Sequence, residues 1–212
     1  IRSHGGSVLA DQKVEKIDVD NREISKVTTG SGDVFTADHY ISSIHPCALL
    51  QTMDEGALTK AYRNRLNEIP NSYSAFTVYI TFKKDAFPYL NRTCYFQDDY
   101  GLVWQHGEYD ENTWPRGFMF FTPSEVEQGK YATKMIINSI MDFNVVRRWE
   151  NTTVGHRGAD YLDWKRRHTE KVLDKMEQLY PAFRDDIDDV FSSSPLTIRD
   201  YYNEKEGSLY GF

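Results

Sequence analysis

Ten residues, YSAFTVYITF from Tyr73 to Phe82, constrain the fold more than any other stretch of the chain. Four are β-branched and four are aromatic, and no glycine, proline or charge interrupts them. Branched and aromatic side chains pack well on a pleated surface and lose rotamer freedom in a helix. The stretch therefore predicts a central β-strand. Further β-rich runs follow at Thr93–Phe96, Leu102–His106, Phe118–Phe121 and Lys134–Met141. The links are turn-forming, at Asp98-Asp99-Tyr100-Gly101, Asp110-Glu111-Asn112 and a corner holding Pro123. Consecutive strands with short links argue for an antiparallel sheet, and the fold class expected is α+β. Such a sheet covers one face with helices and can offer the other to a ligand. Trp104, Phe118 and Phe120 are the candidates for a ligand-facing wall, although core packing accounts for such aromatics equally well.

Helical periodicity flanks this sheet. Pro46 to Leu50 with Met53 makes a short helix, with proline in the first turn where its missing N–H costs nothing. Leu58, Ala61, Tyr62, Leu66 and Ile69 share a stripe that Pro70 ends, leaving Arg63 and Arg65 to solvent. The longest helix is DYLDWKRRHTEKVLDKMEQLYP, with Asp160 as N-cap and Pro181 as stop. Tyr161, Trp164, His168, Val172, Met176 and Leu179 fall on its apolar stripe. A histidine there is a packed residue bonding a neighbour rather than a catalytic base.

Composition excludes several classes. A net charge of −7 and a pI near 5.4 offer nothing to nucleic acid or an anionic membrane surface. Cys47 and Cys94 are too far apart for a CxxC pair and read as reduced thiols of an intracellular protein. The six histidines form no ligand-spaced set with cysteine or carboxylate, so no metal site is expected. No apolar run reaches the length of a transmembrane helix, and no signal peptide opens the chain. Starting at Ile1 and stopping at Phe212, the chain reads as a fragment of a longer protein.

The stretch GGSVLADQKVEKIDVDNREISKVTTGSGDVFTADHYISSIHP, Gly5 to Pro46, alternates apolar and polar residues around two turns. It predicts a three-stranded meander and a return strand at Tyr40–Ile41. A plain meander of any small α+β domain would show the same alternation. The order of these residues, however, resembles a segment of FAD enzymes of the amine-oxidase superfamily, in the branch of phytoene desaturases and all-trans-retinol 13,14-reductases. Two further stretches resemble the same branch: Trp149 to Lys165, with its WE and GHRG-DY spacing, and VFSSSPLTIRDYYNEKEGSLYGF at the tail.

The resemblance implies an internal piece of such an enzyme. Residues 1–46 would be the meander and return strand of the FAD domain, 47–205 an α+β substrate domain, and 206–212 the start of the return to the flavin. Val14 would read the adenine through its backbone, and Ser42 and Ser43 would lie beside the cofactor. The implied chemistry is saturation or desaturation of C–C bonds in a polyene-like, apolar small molecule. The same architecture also suits an amine oxidase or a protoporphyrinogen-oxidase-like enzyme, and a non-catalytic α+β ligand-binding module stays open. No GxGxxG follows a strand anywhere, so the pyrophosphate cradle is absent from these 212 residues and the piece alone should be inactive. A cytoplasmic protein, peripheral to a membrane at most, is expected.

Overall fold

The computed structural model describes residues 1–102, 109–125 and 129–211. The chain divides into two compact units, Ile1–Pro70 with the C-terminal Gly211, and Asn71–Tyr210. The two short helices, Pro46–Gln51 and Lys60–Glu68, fall in the first unit.

In the first unit, β1 (Val14–Asp20), β2 (Glu23–Thr29) and β3 (Val34–Phe35) form an antiparallel sheet in the order β1-β2-β3. Asn21 and Arg22 both take positive φ in the β1–β2 turn, which matches the right-handed twist of a hairpin. Helix α1 (Pro46–Gln51) is capped by His45, whose Nδ1 accepts from the Cys47 amide, and α2 (Lys60–Glu68) by Thr59. The amide of Ile17 donates to the Thr52 carbonyl at 2.7 Å, tying β1 to the end of α1. Ile17, Cys47, Leu50 and Leu66 make a small core. Arg63 is not left to solvent. Its guanidinium donates to the carbonyls of Leu50, Met53 and Asp54, at 3.4, 3.3 and 2.5 Å, satisfying acceptors that the end of a helix leaves orphaned. No strand forms at Tyr40–Ile41. Ile41 is 98% exposed and no described strand pairs with it.

The second unit is a five-stranded antiparallel sheet, β5-β6-β7-β4-β8 in space. Its members are β4 (Ser74–Phe82), β5 (Cys94–Gln97), β6 (Gly117–Phe121), β7 (Lys134–Met141) and β8 (Ile187–Ser193). The YSAFTVYITF run lies between β7 and β8, paired on both sides. Of the run at Leu102–His106, Leu102 ends a 3-10 turn and the rest lies outside the described residues. The fifth strand is instead β8. Helix α3 (Ala159–Leu179) covers one face of the sheet, burying Tyr161, Trp164, His168, Val172, Leu173 and Met176. α4 (Pro195–Tyr202) follows β8, closed at its start by a reciprocal Ser194–Thr197 cap.

The N-cap of α3 is Gly158 at φ +86°, not Asp160. Asp160 in the first turn instead accepts from the Trp149 indole at 2.7 Å. At its far end α3 is held by Arg184, beyond the Pro181 stop. One guanidinium reaches Glu170 at 2.8 Å, Asp174 at 2.5 Å and Glu177 at 3.2 Å, three carboxylates on successive turns.

Candidate functional site

Strand register decides which side chains see the helix and which do not. Phe76, Val78 and Ile80 of β4 pair with Ser139, Ile137 and Met135 of β7, and all six are buried in the face that α3 covers. Phe118 and Phe120 fall on this same face, across from Phe96 and Cys94 of β5. Both belong to the main core, Phe118 stacks on Phe96 at 5.0 Å, and Phe118 also lines the groove of the other face. Trp104 lies outside the described residues.

The opposite face carries the alternate residues: Ala75, Thr77 and Tyr79 of β4, Asn138 and Ile140 of β7, Met119 of β6. A groove of about 590 Å³ runs along it. Its floor is Ala75, Thr77, Asn138, Ile140 and Met119; Tyr73 with Leu209 and Tyr210 form one wall, and the segment 109–116 closes an end. Thr77 donates to the Asn138 amide oxygen at 2.6 Å, so the floor's two polar groups satisfy each other. Two carboxylates stand at the rim, and both are engaged. Asp110 accepts from the Asn112 amide at 2.9 Å and Asp142 from the Asn144 amide at 2.6 Å. Beyond the groove, on the same face, Tyr79 stacks on Phe191 at 4.7 Å.

Tyr109 lines this groove and also a second, outer pocket of about 400 Å³ with Glu111, Arg148 and Arg167. Its hydroxyl lies 2.7 Å from His168 Nε2 and hydrogen-bonds the Glu111 carboxylate. His168 has no exposed surface, and its ring sits against Trp164 and Trp114 at 4.3 and 4.9 Å. Its Nδ1 is 2.8 Å from the Trp164 carbonyl, so it is the packed histidine expected, bonded to its neighbours. Burial holds its pKa below the usual histidine range, only partly offset by the Trp164 carbonyl and the Glu111 charge. Burial, and then the bond to Glu111, raises the Tyr109 phenol far above its ordinary value. Glu111 is pulled the other way: burial works to raise it, but Tyr109, His168 and Lys171 together hold it low. Nothing in the sequence marked Tyr109 or Glu111.

The stretch from Trp149 to Lys165 is a scaffold. Arg157, buried, pairs with Asp200 of α4 and donates to Thr152 Oγ1 at 3.0 Å. The Tyr161 hydroxyl lies 2.8 Å from Ser194 Oγ, and Lys165 donates to the Ser192 carbonyl at 3.0 Å. Together these fix the start of α3 against β8 and α4.

In the first unit the Gly30 amide donates to the Lys13 carbonyl at 2.9 Å, across the Val14–Thr29 pair. That bond makes Val14 a non-hydrogen-bonded position of the ladder, with its own N–H and C=O turned away from β2. β1 is the edge of its sheet, so both groups point outward from that edge, which Met53 bridges further along at Ile17. Ser42 and Ser43 are exposed, in a stretch with no regular structure.

Comparison with known proteins decides the family. Residues 1–197 match the model of flavin containing amine oxidoreductases. The chain belongs to that family. An all-trans-retinol 13,14-reductase from Danio rerio is 25% identical over 101 residues, 48% of this chain and 15% of that protein. The matched stretch is thus a small part of the relative's length. No helix among the described residues is long and apolar enough to cross a membrane.

Proposed function

We propose that this chain supplies the substrate wall of a flavin-dependent oxidoreductase that saturates or desaturates C–C bonds of a polyene-like substrate. The observation that carries the reading is the groove on the uncovered sheet face. Ala75, Met119 and Ile140 give its floor an apolar stretch beside the bonded Thr77–Asn138 pair, between walls that include Tyr73, Tyr95 and Tyr210. An extended hydrocarbon needs only apolar surface, at about 25 cal/mol per Å² buried. The distant likeness to a retinol reductase supports the same choice over an amine substrate.

The residues present suit one part of an FAD site. Val14 offers a backbone donor and acceptor on an open strand edge, the pattern that reads an adenine edge without any side chain. Bound FAD supplies two-electron hydride chemistry. This chain's share is to hold the hydrocarbon along the sheet, keep water off the reacting carbons, and place a hydroxyl at the groove's end. Residues 1–46 are assigned to the FAD domain, with Ser42 and Ser43 near the cofactor. Residues 47–205 are assigned to the substrate domain, where Phe118 and Phe120 support the wall from behind.

The test uses the full-length enzyme under anaerobic conditions, with all-trans-retinol added to flavin reduced by dithionite and benzylamine added to oxidised flavin as the rival probe. Loss of polyene absorbance with gain of two hydrogens by mass is expected. Oxidation of benzylamine with no change in the polyene would overturn the reading. Val14→Pro deletes the outward N–H and should weaken FAD binding roughly tenfold to a hundredfold while circular dichroism stays native.

A further inference from the structure

The Tyr109 hydroxyl has one proton and two neighbours that want it. His168 Nδ1 faces the Trp164 carbonyl, which can only accept, so Nδ1 carries a hydrogen. A neutral ring then presents Nε2 as an acceptor, 2.7 Å from the phenol oxygen. On its other side that oxygen meets the Glu111 carboxylate, an acceptor only when ionised. With a neutral imidazole and an ionised carboxylate, a single O–H must serve both contacts, and one goes unmade. A second proton, on either Nε2 or the carboxylate, completes both hydrogen bonds. The trio is therefore a proton-storing cluster with one seat unfilled at rest.

Its position gives that seat a use. Glu111 is 45% exposed in its side chain and lines the outer pocket, whereas His168 is wholly buried. Tyr109 lines both the outer pocket and the groove. We propose that Glu111, Tyr109 and His168 form a proton relay from the outer pocket to the groove, with the Tyr109 hydroxyl as the donor to the substrate lying there. This rests on the reading of the groove as a site for C=C saturation. A double bond that accepts a hydride, the reduced flavin's share, needs a proton at the neighbouring carbon. In the charged relay the Tyr109 O–H turns from its acceptor to the substrate carbon, and its bond breaks as the C–H bond forms. The stored second proton passes at once to the phenol oxygen. The trio ends with one proton, its resting state, and solvent refills the seat through Glu111. No free phenolate accumulates, so a phenol held far above its ordinary range can still donate.

The charges around the trio set the pH at which the seat fills. Lys171, 3.3 Å from Glu111 Oε1, and Arg167 face it from α3, Arg148 from the 3-10 turn Arg147–Trp149, and Asp110 from the trio's own segment. Phe76, Trp114 and Trp164 wall off the rest of the imidazole. The cations and the apolar wall disfavour uptake, so filling belongs below the usual histidine range. Turnover in the saturating direction should fall by one proton's slope as pH rises through that point.

Two measurements on the full-length protein test the relay. In ¹⁵N-histidine NMR, the His168 Nε2 signal should titrate with pH, and Tyr109→Phe and Glu111→Gln should each move its shift and midpoint. Should neither variant move it, the relay does not exist, whatever the enzyme turns over. In the polyene assay described above, Tyr109→Phe should lower kcat about a hundredfold with KM within twofold and change the solvent isotope effect. Glu111→Gln should remove the pH limb. A Tyr109→Phe enzyme with unchanged kcat and isotope effect would overturn donation. A titrating, coupled His168 in an enzyme inactive on the polyene would support the relay and sink the substrate reading instead.

Discussion

The two faces of the five-stranded sheet are made from the same strands, one residue apart, and they obey different demands. On the helix side, Phe76, Val78, Ile80, Met135 and Ile137 are almost wholly buried, each shaped to its neighbours. On the other side, Tyr79 and Met119 are half-buried, and Ile140 and Phe191 stand exposed at 43% and 58%. Exposed apolar residues on the face opposite α3 do not stabilise this unit much. Their presence makes sense as surface kept for something else. Stability is concentrated on one face and ligand chemistry on the other.

Substitutions can break that contrast. Phe76→Ala should cost about 3–5 kcal/mol, because it opens a cavity among Trp114, Trp164 and His168. Tyr79→Ala should cost about 1 kcal/mol, the loss of its stack on Phe191. Urea unfolding of the two variants reads the difference directly, and equal losses would abolish the distinction between the faces. Next in size is Asp200→Ala, which strands the Arg157 guanidinium, 95% buried, and should lower stability by about 3 kcal/mol. Flavin content measured beside the melt should stay unchanged, since Asp200 only anchors the scaffold.

Met119→Ala sharpens the comparison from the ligand side. It removes apolar surface from the groove floor, so polyene KM should rise several-fold while the melting temperature barely moves. The smallest effect is the acid dependence of Glu206. A hydrogen bond from Arg147 holds its carboxyl below the usual range. A depressed folded value means stability that is present above the unfolded pKa and lost as pH falls through the folded one. With 34% of the Glu206 side chain exposed, solvent screening limits this to a few tenths of a kcal/mol. Glu206→Gln should flatten that slope in melts taken between pH 5 and about 3.

Much of this was legible in the residues. The meander, the central strand and the long amphipathic helix followed from period and turn chemistry, and His168 was correctly placed as a packed residue. Strand β8 was missed because Asp188 and Asp189 interrupt its apolar pattern. An edge strand tolerates charges on the side it leaves unpaired. Phe118 and Phe120 illustrate a harder limit. Alternation tells which residues share a face, but not which face the helix will cover. Tyr109 and Glu111 were invisible for another reason. The bond from Tyr109 to His168 spans 59 positions, and no local pattern announces a contact across that distance.

Arg184 carries one more consequence. α3 ends with Glu170, Asp174 and Glu177 in its second half, where the partial negative charge of a helix terminus repels anions. The residue that pairs with all three lies beyond the helix, after the Tyr180–Pro181 break and the left-handed Ala182. The helix therefore does not own its stability. A synthetic peptide of residues 159–179 would be a poor helix at neutral pH and a better one in acid. Extending it by seven residues, none of them helical in the α sense, would supply the missing cation. The boundary of the cooperative element lies at Asp186 rather than at Leu179.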